Sequence, residues 1–73
     1  MLSFFMAGPD LVRWELKAVE RDGPFRLTIH HRQGVIVEYF STTAAALNRE
    51  RQLEHLLIAA RGNQQTAAEE AVL

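Results

Sequence analysis

Cysteine is absent, so neither a disulfide framework nor a thiolate metal site can support this chain of 73 residues, and stability has to come from packing. Proline occurs twice and glycine four times, and each falls where an element should end: Gly8-Pro9, Gly23-Pro24, Gly34 and Gly62. Charge of neither sign dominates. Eight Lys and Arg stand against nine Asp and Glu, for a formal net charge of -1 and a pI near 6.3. That balance gives no global pull toward nucleic acid or an anionic membrane, and partners must be argued from faces. Long apolar runs are missing too. Met1-Leu2-Ser3-Phe4-Phe5-Met6-Ala7 has no basic residue before it and is broken by Gly8-Pro9, which is too short for a signal peptide or a membrane span. The chain is therefore expected to be cytoplasmic, with no membrane partner, and of bacterial or phage origin. A domain this small buries too little surface to be more than marginally stable alone. A second copy, in a homodimer, is the expected help.

Residues 1–10 read as an apolar N-terminal arm, whose Phe4, Phe5 and Met6 could pack on the core, add an edge strand or reach a second protomer. A folded unit is expected over 11–62. From Val12 the pattern alternates with period two: Val12, Trp14, Leu16 and Ala18 point one way, and Arg13, Glu15, Lys17 and Val19 the other. Pro24 has no N–H to close a two-residue Asp-Gly hairpin, so a four-residue loop, Arg21 to Pro24, is expected. The next strand puts Phe25, Leu27, Ile29 and His31 on one face and Arg26, Thr28 and His30 on the other.

Arg32-Gln33-Gly34 reads as a three-residue loop with Gly34 in the left-handed position of a bulge. That loop pairs His31 with Val35, Ile29 with Val37 and Leu27 with Tyr39, and sets Glu38 opposite Thr28 and Ile36 opposite His30. The slipped alternative buries Glu38 beside Ile29, at roughly several kcal/mol for an unpaired buried charge, and is not expected. The core face then carries Trp14, Leu16, Ala18, Leu27, Ile29, Val35, Val37 and Tyr39. The mixed face carries Arg13, Glu15, Lys17, Val19, Arg26, Thr28, His30, Ile36, Glu38 and Phe40.

A helix is expected over 42–61, capped by Thr42 or Thr43 and stopped by the basic last turn and glycine of Arg61-Gly62-Asn63. At 100° per residue, Ala45, Ala46, Leu53, Leu56, Leu57 and Ala60 share one stripe, and Leu47 and Ile58 form a second, smaller apolar line. Residues 63–73 read as a frayed extension or an unstructured tail. The fold class is α+β: a three-stranded antiparallel meander followed by one long C-terminal helix packed on one sheet face, β-β-β-α.

No catalytic or metal constellation survives inspection. His30 and His31 are adjacent on a strand and point to opposite faces, and His55 lies on the helix's polar side with no carboxylate or cysteine set around it. Ser41, Thr42 and Thr43 are accounted for by capping, and Ser3 lies in the arm. Glu15 and Glu38 belong to a cross-strand charge network rather than a converging acid pair. The expectation is a non-enzymatic protein with no cofactor.

The mixed face, interrupted by Val19, Ile36 and Phe40, supports two readings. In one, this face or the Leu47/Ile58 line meets a second protomer or another protein. In the other, Arg13, Lys17, Arg26 and His30 present a sheet surface to nucleic acid. The junction Tyr39-Phe40-Ser41-Thr42-Thr43-Ala44-Ala45-Ala46, after a meander that opens with Trp14, resembles the sheet-to-helix step of the AP2-like and integrase arm-type DNA-binding modules over about residues 13–60. The resemblance implies a three-stranded sheet lying in the major groove. Against it, Glu15 and Glu38 on the same face offset the cations that phosphate contact requires. A small non-enzymatic interaction or regulatory module, self-associating, is the leading expectation, with DNA binding as the alternative. Operator binding is expected to weaken steeply with salt and with Arg26→Ala or Lys17→Ala. Protein docking is expected to respond instead to Ile36, Phe40, Leu47 or Ile58, as a binding titration on each variant set would show.

Overall fold

The structure, a computed structural model, describes residues 1–72, with side chains as far as Arg61. It is α+β, with one antiparallel sheet and one helix, but the sheet has four strands rather than three. They run in order β1 (Leu2–Ala7), β2 (Asp10–Ala18), β3 (Phe25–His31) and β4 (Gly34–Phe40), followed by α1 (Thr43–Val72). α1 runs through Gly62 to Val72, so the helix does not stop at Arg61-Gly62-Asn63 as expected; a single glycine costs a helix only about 1 kcal/mol relative to alanine.

The apolar segment expected as an arm is strand β1. Ala7 pairs with Asp10 across a two-residue turn, Gly8-Pro9. Gly8 has φ +61, the left-handed backbone required of the first central residue in a hairpin turn that matches strand twist. The ladder continues outward, with the Leu16 N–H donating to the Met1 carbonyl at 2.9 Å. Phe5 and Ala7 point inward beside Val12 and are buried, while Leu2, Phe4 and Met6 point outward and are exposed.

β2 and β3 pair with Trp14 opposite Ile29 and Leu16 opposite Leu27, so their facing is that of the alternation. The connecting loop lies one residue earlier than expected: the Val19 N–H donates to the Pro24 carbonyl at 2.9 Å, leaving residues 20–23 between them. Pro24 takes part through its carbonyl, the one backbone group it has to offer.

β4 takes the register that the sequence argument set aside. His31 pairs with Gly34 across a two-residue loop, Arg32-Gln33, so Ile36 lies opposite Ile29, Glu38 opposite Leu27 and Phe40 opposite Phe25. Every side chain of the strand is thereby on the other face from the one expected. This register is costly only where Glu38 is left unpaired. In the fold Arg49 of α1 reaches it: Nε donates to Oε1 at 2.9 Å and Nη2 to Oε2 at 3.3 Å, with both side chains about one-third exposed at the rim. The hydrogen bond to Glu38, and then its charge, raise the Arg49 pKa above the usual guanidinium value. Ile36 and Phe40 pack against the core from the same face.

α1 starts at Thr42, whose Oγ1 accepts from the Ala45 N–H at 3.1 Å and whose carbonyl accepts from the Ala46 N–H, an N-cap of the expected kind. The helix packs against β1, β3 and β4. Its buried line is Ala46, Glu50 and Leu53, with Leu47 and Leu57 partly buried against the core. Of the expected stripe, Ala46, Leu53 and Leu57 face the sheet, whereas Ala45, Leu56 and Ala60 are exposed. At its far end Arg61 lies over the β1–β2 turn. A Cβ built on Gly8 would come within 2.7 Å of Arg61 Cγ, so the turn needs glycine for space as well as for φ.

Two pairs of neighbouring substitutions test these facings by chemical denaturation. Phe5→Ala is expected to cost about 3 kcal/mol by removing a buried aromatic, and Phe4→Ala no more than about 0.5 kcal/mol. Likewise Ile36→Lys should unfold the domain and Val37→Lys should leave it folded. The reverse order at 36 and 37 would restore the three-residue loop.

Candidate interaction face

The helix covers one side of the sheet, and the side chains on the other form three cross-strand rows. Phe4, Arg13, His30 and Val35 make the first, Leu2, Glu15, Thr28 and Val37 the second, and Lys17, Arg26 and Tyr39 the third. Met6 and Leu11 extend the face beyond the first row. The layout is systematic. In the three rows the two central strands supply the polar and charged groups and the two edge strands the apolar ones, with Leu11 the one apolar residue that β2 adds. Leu2 is 77% exposed, Phe4 65% and Tyr39 60%.

Of the residues picked out from the sequence, Arg13, Lys17, Arg26 and His30 share this face, with Arg13 beside His30 and Lys17 beside Arg26. Val19 is exposed just past the end of β2. Ile36, Glu38 and Phe40 are not there: they turn toward the helix with the rest of that β4 phase. Leu47 packs against the core instead of lying on an open line, whereas Ile58, farther along α1, is 40% exposed. Substitutions at Ile36, Phe40 or Leu47 therefore report on folding and not on docking.

Sequence reasoning missed Leu2, Phe4, Met6, Leu11, Val35, Val37 and Tyr39 as members of the face. A signal existed for the first three. Gly8-Pro9 with Asp10 can close a hairpin, and a hairpin there commits Leu2, Phe4 and Met6 to the side opposite Val12.

The register also changes the electrostatics of the face. Among the described residues the ion pairs are Glu38–Arg49 and Asp10–Arg61, so Glu38 is taken up on the helix side and Arg13, Lys17 and Arg26 are left without an acidic partner. With Glu15 the one carboxylate among them, the face carries a net +2 on a chain of formal net charge -1. Everything else then carries a net -3. A shallow depression of about 680 Å³ lies where Phe4, Leu11, Arg13 and His30 converge.

A second concavity, about 330 Å³, lies at one end of the sheet between the two tight turns and α1, lined by Asp10, His31, Gln33, Leu57 and Arg61 among others. Arg61 Nε is 3.5 Å from Asp10 Oδ2, an ion pair longer than a hydrogen bond. His31 lines this cleft with Val12. Among the described residues no group of three or more His, Cys, Asp or Glu is placed to hold a metal ion, and no helix is long and apolar enough to cross a membrane. Searches of family models, curated proteins and solved structures return no significant match to the chain.

One acidic side chain lies under the helix. Glu50 is 6% exposed, and its Oε1 is buried with no hydrogen-bond partner. Burial first, then the hydrogen bond and charge of Glu54 one turn on, raise its pKa to about 7 despite the opposing charge of Arg51. The folded state thus holds this proton more tightly than the unfolded chain. Its contribution is fully present below the ordinary carboxyl pKa and is lost as pH rises through about 7. A shift of this size corresponds to a few kcal/mol at most. Glu50→Gln, which mimics the protonated acid, is expected to raise stability at pH 8 by roughly 1–3 kcal/mol and to flatten the stability profile between pH 5 and about 8. Urea denaturation across that range checks it, and a variant as pH-sensitive as the native chain would show Glu50 ionised throughout.

Proposed function

We propose that this chain is a small non-enzymatic interaction module whose docking surface is the open face of the four-stranded sheet. The observation that carries the reading is the sorting of that face: exposed apolar side chains on both edge strands flank an unpaired basic centre on β2 and β3. Scattered exposed apolar residues are ordinary, but two exposed apolar strips on one sheet face with unpaired cations between them suit a partner that offers both apolar and anionic surface. No residue is given a catalytic role, and the module is placed in the cytoplasm.

Self-association is a second reading, and it rests on different features. β1 and β4 each have one side without a strand neighbour, and a free edge is a template for another strand. Ile58 and Leu56 add an exposed apolar stretch on α1. Light scattering across a dilution series, with Phe4→Glu, Val37→Glu and Ile58→Glu variants beside the native chain, separates the two. Partner capture from the source cell is expected to fail for the first two variants and to survive Ile58→Glu. Equal capture by all four proteins would sink the open-face assignment, and a native chain that stays monomeric at every concentration would sink self-association.

A further inference from the structure

We propose that the partner of the open face is a short single-stranded nucleic acid, with Phe4 and Tyr39 stacking bases at opposite corners while Arg13, Lys17 and Arg26 meet the phosphates between them. The inference rests on the open-face reading above and adds the chemistry of the occupant.

The placement of the two aromatics is the first support. Phe4 lies on β1 beside Arg13, and Tyr39 lies on β4 beside Arg26, so each exposed ring has a guanidinium as its cross-strand neighbour. The corners are separated by three strand spacings and two rows, roughly 20 Å along the diagonal at standard sheet dimensions. That length suits about four nucleotides, the small end of single-domain sites. Arg13 and Arg26 flank the two rings, Lys17 lies beside Arg26, and the diagonal itself passes Glu15 and Thr28 in the middle row.

Charge is the second support. The face is net positive on a net negative chain, and its three cations have no acidic partner among the described residues. A second copy packed face to face would set net +2 against net +2, which argues against the chain itself as occupant of this surface. A duplex keeps its base faces stacked inside, leaving Phe4, Val37 and Tyr39 against sugar and phosphate. A single strand offers both things that the face is sorted to receive, flat π surfaces for the edge strands and phosphates for the cations of the first and third rows. Glu15, in the middle row beside Thr28, repels phosphate from the centre line and accepts from a base amino group such as cytosine N4.

The test is fluorescence anisotropy with labelled, mixed-sequence oligonucleotides of about eight residues, single-stranded DNA and RNA in separate arms and a DNA duplex in a third. Binding of either single strand supports the proposal, and the arm that binds identifies the source. Neutralising about three phosphates predicts a log–log salt slope near -2, roughly a tenfold loss between 50 and 150 mM salt. Phe4→Leu and Tyr39→Leu keep the exposed apolar bulk but remove the ring, and each should weaken binding about tenfold. Arg26→Gln should make the salt slope shallower by about 0.7. Circular dichroism of each variant confirms that these surface changes leave the fold in place. The proposal is overturned if neither single strand binds at low salt, if the duplex binds as well as the single strands, or if both leucine variants bind like the native chain. Should no oligonucleotide bind while Phe4→Glu and Val37→Glu still abolish capture of a cellular protein, the face docks protein and only the nucleic-acid inference fails. Should those variants alter nothing at all, both readings fall.

Discussion

A carboxylate keeps its charge on the core side of a sheet at little cost where a cation meets it, and here Arg49 reaches from α1 to Glu38 at 2.9 Å. That contact lets β4 pair in the phase that sends Ile36 and Phe40 inward and Val35, Val37 and Tyr39 outward. Because side chains alternate along a strand, the facing of one acid decides the facing of five neighbours. It also removes a negative charge from the open side. The composition of the candidate interaction face is thus a consequence of a pair on the opposite one.

The geometry of cover explains why an open face exists. A helix with its side chains is about 10–12 Å across, while the outer strands of a four-stranded sheet lie roughly 14 Å apart, axis to axis. One helix can serve the whole inner face only by crossing it obliquely. α1 does so, leaving the end of β4 at Thr43 and arriving over the β1–β2 turn at Arg61. Addition of β1 gives the helix a buried strand to meet at that far end, through Phe5 and Ala7. Nothing in the chain described by the structure covers the other side, where the same strand exposes Leu2, Phe4 and Met6.

Which parts of this were legible in the sequence follows from how asymmetric each segment is. β2 and β3 alternate apolar with charged residues, so their facing has one solution, and Trp14 opposite Ile29 agrees with it. The Thr42 cap was legible because a hydroxyl before an alanine-rich run has few other uses. β1 and β4 are different. Leu2-Ser3-Phe4-Phe5-Met6-Ala7 and Val35-Ile36-Val37-Glu38-Tyr39-Phe40 are apolar in both phases, so periodicity does not choose between faces and the choice passes to loop length and one charge. The loop assumed for Gly34 was one residue too long, and the partner that makes Glu38 acceptable lies 11 residues away on the helix. A local rule cannot see such a partner. Arg13, Lys17, Arg26 and His30 were found because β2 and β3 carry them, and most of the apolar border was missed because β1 and β4 carry it.

Glu50 shows the same limit from the other side. It occupies the helix line between Ala46 and Leu53 that faces the sheet, and no cation meets it as Arg49 meets Glu38. The helical pattern alone gave no reason to place a glutamate inward, and the stripe drawn through Ala45, Leu56 and Ala60 is rotated away from it. The actual line follows from anchoring both ends, Ala46 beside the Thr42 cap and Arg61 over Gly8, after which a residue one turn beyond Ala46 must face the strands whatever its chemistry. Glu38 and Glu50 therefore both sit on the helix side of one small sheet. Glu38, at the rim, keeps its charge through a neighbour, whereas Glu50, under the helix, has its pKa raised to about 7 by burial and by Glu54. The difference is set by position relative to the edge of the sheet, where a long arginine can reach round, and not by any property of the residue itself.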